Sequence, residues 1–258
     1  MARIPIGLEL YSVREELNRD PEGTLKRVAE MGYDGVEFAG FPLPADELRG
    51  MLDTFGLVCC SSHTPLDHLL GDKLEETVAF NKTLGNKMLI CPWIGEPYYG
   101  SREGWLKAAQ LFNDIADRLA PHGMLTGYHN HDAEFKAEYD GETPWDIFFS
   151  NTKKEVVMQL DTGNALHGGG LSVPILRKFP GRAVSVHLKP YSVTAAKSGP
   201  NAGFAPLIGE DEIPWAEVFE LCETIGGTQW YVVEYECDAY PPLEAVERCL
   251  KALRAMGK

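Results

Sequence analysis

Positive charge is scarce in this sequence, and the shortage limits what the protein can bind. Lysine and arginine number 24 against 38 aspartates and glutamates, so the formal net charge is −14 at pH 7. A nucleic-acid surface is normally basic because it neutralises phosphates, and we therefore expect no nucleic-acid partner. The sequence also lacks any apolar run near the ~18 residues of a membrane span, which predicts no membrane partner.

Paired cysteine motifs are missing as well. The six cysteines show no CxxC pair and no zinc-ribbon spacing, and most lie within apolar strand or helix patterns (Cys59, Cys60, Cys91, Cys222, Cys237 and Cys249). Buried free thiols explain that placement best. No apolar signal-peptide core precedes the charges at Arg14 and Glu15, so we expect a cytoplasmic protein.

What the sequence does contain is a regular alternation of strands and helices. The periodicity predicts eight strands, over residues 6–11, 35–38, 57–62, 87–91, 125–130, 156–161, 183–189 and 231–236. Amphipathic stretches typical of helices lie between them. One of these helices begins after Asp20 and ends at Gly32, and a longer one begins after Ser101 and ends before Pro121.

This alternation predicts an α/β fold with a parallel sheet. The first strand lacks the glycine-rich phosphate turn of a doubly wound sheet, because residues 10–14 (Leu-Tyr-Ser-Val-Arg) follow it instead. Polar strand ends also occur through the whole chain, as they do when every strand borders one site. With a length of 258 residues, the pattern predicts a single (β/α)8 TIM-barrel domain over residues 1–258.

Polar residues alternate along the strand ends, which a buried parallel sheet does not normally tolerate. Every second side chain of a strand lies on the same face, and burying such groups is costly unless they meet one another or a ligand. Asp161, His187 and Glu234 fall on three successive strands. They are residue types that bind divalent metals, and a cation (Mn, Zn, Fe, Co or Mg) would remove the repulsion among crowded carboxylates. The predicted inward polar set is Glu9, Tyr11, Glu37, Ser61, His63, His129, His131, Gln159, Asp161, His187, Lys189, Glu234 and Glu236.

Each of these residues taken alone has a simpler interpretation. Glu9 and Glu37 fit a solvated rim as well as a site. His63 fits either a core histidine or a contact to a ligand or substrate. Lys189 fits either a carbonyl cap or a contact to a substrate oxygen, and Glu236 fits an outer partner of the site. The agreement of three adjacent strands is what favours a shared centre.

The densest group of such residues lies between residues 127 and 135. His129 and His131 are two positions apart on a strand and therefore face the same way. A metal held by the three residues on the later strands needs a fourth ligand. Either His129 or Glu134 can supply it.

Three loop features remain. Residues 190–213 form the longest irregular connection, rich in Gly, Ala, Ser and Pro, and we expect a lid over the site. His167 precedes a run of glycines and is expected in a flexible turn. Tyr98 and Tyr99 predict either a pocket wall or a contact in a homo-oligomer.

The chain resembles the sugar phosphate isomerase/epimerase family of xylose-isomerase-like TIM barrels, through segments at residues 7–14, 32–38, 62–65, 128–135, 160–164, 186–189 and 233–235. The resemblance implies a metal shell of Glu, Asp, His and Glu, formed by Glu134, Asp161, His187 and Glu234, with His129 as the alternative to Glu134. It also implies a small sugar or keto-sugar as substrate. The expected substrate-binding residues are His63, His129, Asn130, Lys189, Glu37 and Glu236.

The activity that the resemblance implies is metal-dependent isomerisation or epimerisation of a ketose or keto-sugar. The cation would acidify the C–H bond beside the carbonyl and stabilise the enediolate, while Glu134, Glu234 or His131 would take the proton. Loss of a β-substituent would instead make the protein a lyase or dehydratase of the 3-keto-glycoside or inosose type. A phosphodiesterase of the apurinic-endonuclease type needs a basic groove that this sequence lacks. A non-catalytic sugar-binding barrel would not need the metal-binding residues that it keeps.

Overall fold

The chain forms a closed barrel of eight parallel strands in sequence order, with the first strand pairing with the last. The computed structural model describes residues 3–199 and 201–258. The strands are β1 (Ile6–Glu9), β2 (Gly35–Ala39), β3 (Val58–His63), β4 (Met88–Cys91), β5 (Leu125–His129), β6 (Val157–Asp161), β7 (Ser185–Leu188) and β8 (Trp230–Val233). This confirms the predicted (β/α)8 TIM barrel.

Helices cover the outer face of the barrel. The α-helices span Arg14–Arg19, Pro21–Met31, Ala45–Phe55, Lys73–Leu84, Arg102–Leu119, Ala133–Lys136, Pro144–Ser150, Thr162–Gly168, Ser172–Lys178, Val193–Ala196, Trp215–Leu221 and Pro242–Ala255. Short 3-10 segments cover Leu10–Val13, Leu66–Leu69, Ala120–His122 and Ala202–Phe204, and a π-helical segment covers Cys222–Gly226. Among the described residues, no helix has both the length and the apolar character needed to cross a membrane.

Local signals position two of these helices as the sequence predicts. Asp20 Oδ1 accepts a hydrogen bond from Gly23 N at 3.0 Å, and Gly32 ends the same helix at a φ of 97°. Ser101 Oγ accepts from Gly104 N at 3.1 Å at the start of the longest helix. Side-chain acceptors of this kind satisfy N–H groups that the first turn leaves free, so both helices begin where their caps lie.

The barrel interior is apolar at one end and polar at the other. Met88, Ile90, Val157 and Trp230 form a small apolar cluster towards the N-terminal ends of the strands. Gly127 makes room for it, because a Cβ there would lie 2.5 Å from Val157 O and 2.8 Å from Ile90 Cδ1. The inward positions nearer the C-terminal ends carry polar side chains. The side chains that can bind a ligand or exchange a proton are therefore concentrated at that end.

The first and the last strand end earlier than predicted. β1 stops at Glu9 and β8 stops at Val233, two and three residues before the predicted ends at 11 and 236. After Glu9 the backbone turns, and Glu9 Oε1 accepts a hydrogen bond from Tyr11 N at 3.1 Å. Tyr11, which we expected to face inward, is 42% exposed because the strand has already ended. The six cysteines are free as expected, and all but Cys237 are buried.

The segment 190–213 is more ordered than its composition predicts. It contains the helical segments Val193–Ala196 and Ala202–Phe204. Tyr191 and Phe204 pack together with 4.7 Å between ring centroids, so the start of the segment packs against its second helical turn. Pro200 lies outside the described residues. A lid role for this segment stays a prediction.

The expectation that His167 lies in a flexible turn is wrong. His167 belongs to the helix Thr162–Gly168, which ends at Gly169 with a φ of 92°. Its ring stacks on Tyr191 at 5.1 Å between centroids. The glycine run therefore marks the end of a helix, and the histidine before it is held in place.

Arg182 supports the barrel from a buried position without a carboxylate within ion-pair distance among the described residues. Its guanidinium donates to Phe149 O at 3.0 Å, Val156 O at 2.8 Å and Thr152 Oγ1 at 2.7 Å. Burial lowers its pKa to about 10. We expect Arg182→Met to lower the free energy of unfolding by about 2–4 kcal/mol, because several buried acceptors lose their donors.

Chemical denaturation of the variant measures this loss. The matched control is Arg177→Met, since the Arg177 side chain is 64% exposed and its carboxylate partner lies 3.9 Å away. Such exposed pairs contribute little. Equal stability of the two variants would contradict a structural role for Arg182.

Candidate metal centre

The strand register brings the predicted site residues to one level of the barrel. Asp161 on β6 pairs with His187 on β7, and His129 on β5 pairs with Gln159 on β6. Glu234 follows directly after the end of β8. Residues that pair across neighbouring strands send their side chains to the same face, so carboxylates and imidazoles from four strands meet in the barrel mouth.

Four buried side chains form a cluster of suitable size for one cation. His129, Asp161, His187 and Glu234 each offer a ligand atom, and these atoms lie within 4.8 Å of one another. His187 Nδ1 is 2.6 Å from Glu234 Oε2 and 3.9 Å from Asp161 Oδ2. Donors bound to one metal lie roughly 3–4 Å apart. We call this set the metal cluster.

Asp161 carries an unpaired oxygen that a cation would satisfy. Its Oδ1 accepts a hydrogen bond from Asn164 N at 2.6 Å. Its Oδ2 is buried and has no hydrogen-bond partner among the described residues. A buried carboxylate oxygen without a partner is costly. The mixed carboxylate and imidazole donors around it suit Mn, Zn, Fe, Co or Mg, so the residues fit a divalent metal.

The electrostatics of the metal cluster agree with that fit. Burial raises the pKa of Asp161 to about 8, and the nearby Glu234 carboxylate adds to the effect. Burial alone would lower the pKa of His187, but Glu37 and Glu234 outweigh it and raise that pKa to about 10. Burial holds the pKa of His129 well below its usual range, so its ring is neutral. A cation would compensate the crowded carboxylates.

Glu37 and Glu9 are both fully buried, so neither belongs to a solvated rim. Glu37 Oε1 lies 2.6 Å from His187 Nε2, and Oε2 accepts a hydrogen bond from Gln159 Nε2 at 2.7 Å. Burial opposes ionisation of Glu37, yet His63 and His187 hold its pKa well below its usual range. We predicted that Glu37 binds substrate, but both its oxygens are engaged by neighbouring side chains.

Glu134, the preferred fourth ligand from the resemblance, does not lie in the metal cluster of the described residues. It belongs to the short helix Ala133–Lys136, which follows the end of β5. Glu134 Oε1 accepts from Tyr128 Oη at 2.8 Å, and Oε2 accepts from His131 N at 2.8 Å. His129, the alternative, is the residue that the fold brings to Asp161.

Asn130 connects two strands and does not face the mouth. Its Nδ2 donates to Asp161 O at 3.1 Å, and its Oδ1 accepts from Asp161 N at 2.8 Å. It is fully buried. We expected a substrate contact here, but both ends of the side-chain amide form hydrogen bonds with the Asp161 backbone at the end of β6. It holds Asp161 in place instead.

A family model described as "Xylose isomerase-like TIM barrel" matches residues 25–256. The chain belongs to this family. Inosose dehydratase of Serratia proteamaculans (strain 568) is 26% identical to it over 250 residues, which cover 83% of this chain and 82% of the relative. The match confirms the family that the sequence motifs predicted.

Two solved structures have the same barrel. A sugar phosphate isomerase/epimerase from Parabacteroides distasonis ATCC 8503 superposes with a TM-score of 0.80 at 24% identity, covering 99% of this chain and 97% of that one. D-allulose 3-epimerase from Methylomonas sp. gives 0.71 at 13% identity, covering 99% and 98%. At these identities the likeness shows the fold alone. The named relatives of this xylose isomerase-like barrel are enzymes.

In this xylose isomerase-like barrel, His131 lies beside the metal cluster with a free ring nitrogen. Its ring centroid is 5.2 Å from that of His129 and 6.3 Å from that of Trp93. Nδ1 is buried and has no hydrogen-bond partner among the described residues. Burial lowers the pKa of His131, which favours the neutral ring. Such a nitrogen is able to accept a proton from a bound molecule.

Lys189 and Glu236 border the metal cluster, because Lys189 contacts both Glu234 and Glu236. Lys189 Nζ donates to Glu234 Oε1 at 3.0 Å and also to Glu236. Both residues border a cavity of about 480 Å³ whose lining includes Asn164 and His167. The predicted contact from Lys189 to a substrate oxygen fits this cavity, although burial and two carboxylate partners hold the ammonium in place.

His63 lines a second cavity. Its side chain is 11% exposed, and Nε2 is 2.9 Å from Gln159 Oε1. The cavity of about 550 Å³ is lined on its apolar side by Phe41 and Phe80. His63 is therefore neither a simple core histidine nor part of the metal cluster. The sequence predicted only that Gln159 faces inward. Because it lies two residues before Asp161 on the same strand, the spacing already placed both side chains on the same face of the barrel.

Proposed function

We propose that this protein is a divalent-metal-dependent enzyme that removes a proton beside the carbonyl of a keto-sugar or inosose and eliminates water from it. The observation that carries the proposal is the unpartnered Asp161 Oδ2 in a cluster of His129, His187 and Glu234, with the unpartnered His131 Nδ1 next to it. One feature suits a cation, and the other suits a proton acceptor.

The four residues of the metal cluster would hold the ion, with His129 in the fourth place. When bound, a divalent cation supplies a Lewis acid that polarises a carbonyl and stabilises the negative charge that develops on its oxygen. The identity of the ion among Mn, Zn, Fe, Co and Mg stays a prediction.

His131 is the proposed base. In the elimination, Nδ1 takes the proton of the C–H bond, and the bonding electrons form a carbon–carbon double bond as the C–O bond of the neighbouring hydroxyl breaks. The same imidazolium can return the proton to the departing oxygen, so water leaves and no further reactant is needed. Lys189, which reaches the cavity beside Glu236, orients substrate oxygens by hydrogen bonding.

A dehydration is favoured over isomerisation by two observations. Inosose dehydratase is the name of a relative that matches most of this chain. In addition, Glu134, a candidate for a second acid or base, has both oxygens occupied by Tyr128 and His131 N. Isomerisation or epimerisation is the second candidate, since it shares the first proton transfer and Glu234 could return the proton from another direction.

Incubation with Mn²⁺ and a panel of keto-sugars, inososes and 3-keto-glycosides in D₂O tests the proposal. We expect deuterium exchange beside the carbonyl, monitored by NMR, together with loss of one water, monitored by mass spectrometry. Exchange with retention of the full mass would support isomerisation instead. Tight metal binding without exchange or water loss for every substrate would count against both.

A further inference from the structure

We infer that Glu37 and Gln159 are positioning residues that fix which nitrogen of His187 and of His129 is left free to bind the metal. The inference rests on the metal site of the proposed function, but it concerns residues outside the metal cluster. Both are fully buried, and neither offers a free atom to a substrate. Their role follows from which groups donate and which accept.

Glu37 determines the tautomer of His187. A carboxylate can only accept hydrogen bonds, so the 2.6 Å contact from His187 Nε2 to Glu37 Oε1 requires the proton on Nε2. By the same rule, the 2.6 Å contact from Nδ1 to Glu234 Oε2 requires a proton on Nδ1, so without an ion both ring nitrogens are protonated. Nδ1 is the nitrogen that faces both Glu234 and Asp161, at 2.6 Å and 3.9 Å. When an ion binds between these residues, Nδ1 gives up its proton, while Glu37 keeps the proton on Nε2. A ligating histidine that donates its other N–H to a carboxylate is oriented in this way.

Gln159 carries the same constraint to His129. Its Nε2 donates to Glu37 Oε2 at 2.7 Å and to Ser185 Oγ at 3.2 Å, so the amide orientation is fixed by an acceptor-only partner. Its Oε1 must therefore face His129 Nδ1 at 3.1 Å and His63 Nε2 at 2.9 Å. A carbonyl oxygen only accepts. His129 consequently carries its proton on Nδ1 and leaves Nε2 unprotonated.

Glu37 needs no cation of its own, because both its oxygens already have partners. It accepts hydrogen bonds from His187, Gln159 and Ser61, and His63 Nε2 lies 3.1 Å from Oε1. Glu9, Glu37, His63 and His187 also have ligand atoms within 4.8 Å of one another. However, three hydrogen-bond donors already occupy both oxygens of Glu37. Displacing these donors for a second ion would remove the hydrogen bonds that fix the protonated nitrogens of His187 and His129, which the first ion requires.

The affinity for Mn²⁺, measured by calorimetry on the folded protein, tests the inference. We expect Glu37→Gln and Gln159→Met each to weaken binding by about 10- to 100-fold, as outer partners of metal ligands do. The matched control is Glu9→Gln, because Glu9 is equally buried and pairs with Glu37 in the sheet, but it makes no hydrogen bond to a histidine. It should bind Mn²⁺ as the unmodified protein does.

A second measurement needs no variant. Ring nitrogen NMR of the Zn²⁺-loaded protein should show His187 protonated on Nε2 and His129 protonated on Nδ1. The opposite tautomer at either ring would overturn the inference. So would binding of two ions per chain with one of them lost in Glu9→Gln, since Glu37 would then be a ligand itself.

The inference and the proposed function fail in different ways. Unchanged Mn²⁺ affinity in Glu37→Gln and Gln159→Met removes the positioning role while leaving the enzyme proposal intact. Loss of affinity in both variants, in a protein that eliminates no water from any substrate, keeps the positioning role and removes the proposed reaction. An unmodified protein that binds no metal overturns both.

Discussion

Asp161→Asn should abolish metal binding and, with it, the reaction. The substitution keeps the size of the side chain and an oxygen for the hydrogen bond from Asn164 N. It removes the charge from the carboxylate of the metal cluster whose second oxygen has no hydrogen-bond partner among the described residues. An outer partner of a ligand is worth about 10- to 100-fold in affinity, and we expect the loss of a direct ligand to exceed about 100-fold.

Calorimetry with Mn²⁺ and thermal unfolding measure this effect together. A ligand present at about 100 times its Kd stabilises a protein by about 2.7 kcal/mol, so the unmodified protein should gain that amount and the variant less than about 0.4 kcal/mol. The control is Asp117→Asn, an outer-surface carboxylate that is 66% exposed. Retained metal stabilisation in Asp161→Asn would show that the ion binds elsewhere.

His131→Gln should slow deuterium exchange beside the substrate carbonyl while leaving the Mn²⁺ affinity unchanged. A positioned base contributes about 10²- to 10⁴-fold to a proton transfer, and we expect a loss of that size in the exchange rate. Glutamine keeps the backbone N–H that donates to Glu134. The variant therefore separates the proton acceptor from the metal ligands.

His122→Gln serves as the control, because His122 lies before β5 at the opposite end of the barrel and contacts Lys82. Glu134→Gln and Glu234→Gln complete the set of candidate bases. If exchange persists in His131→Gln but disappears in Glu234→Gln with metal still bound, Glu234 is the base and our assignment is wrong.

The alternation of strands and helices, together with polar strand ends, was sufficient to predict the barrel, and the polar strand ends predicted which side chains meet in its mouth. Asp161, His187 and Glu234 converge because successive parallel strands place their ends together, and that consequence can be obtained from spacing alone. Caps such as Asp20 are equally local, since the residue and the N–H group that it binds are three positions apart.

The remaining site depends on where the chain turns, which spacing does not specify. Glu134 and His129 were both available as ligands, and the turn after β5 directs Glu134 to Tyr128. Asn130 was expected at the substrate, but contacts to the distant Asp161 backbone determine its position. Glu37 was ambiguous between rim and interior because its burial comes from partners on strands far away in the sequence.

Met88, Ile90, Val157 and Trp230 fill the interior of the barrel towards the N-terminal ends of its strands with apolar side chains. We therefore expect a molecule that reaches the metal cluster to enter at the carboxyl ends of the strands, past the loops that follow them. For the same reason, we expect substitutions at the N-terminal end of the barrel to change its thermal stability without changing which molecules it binds.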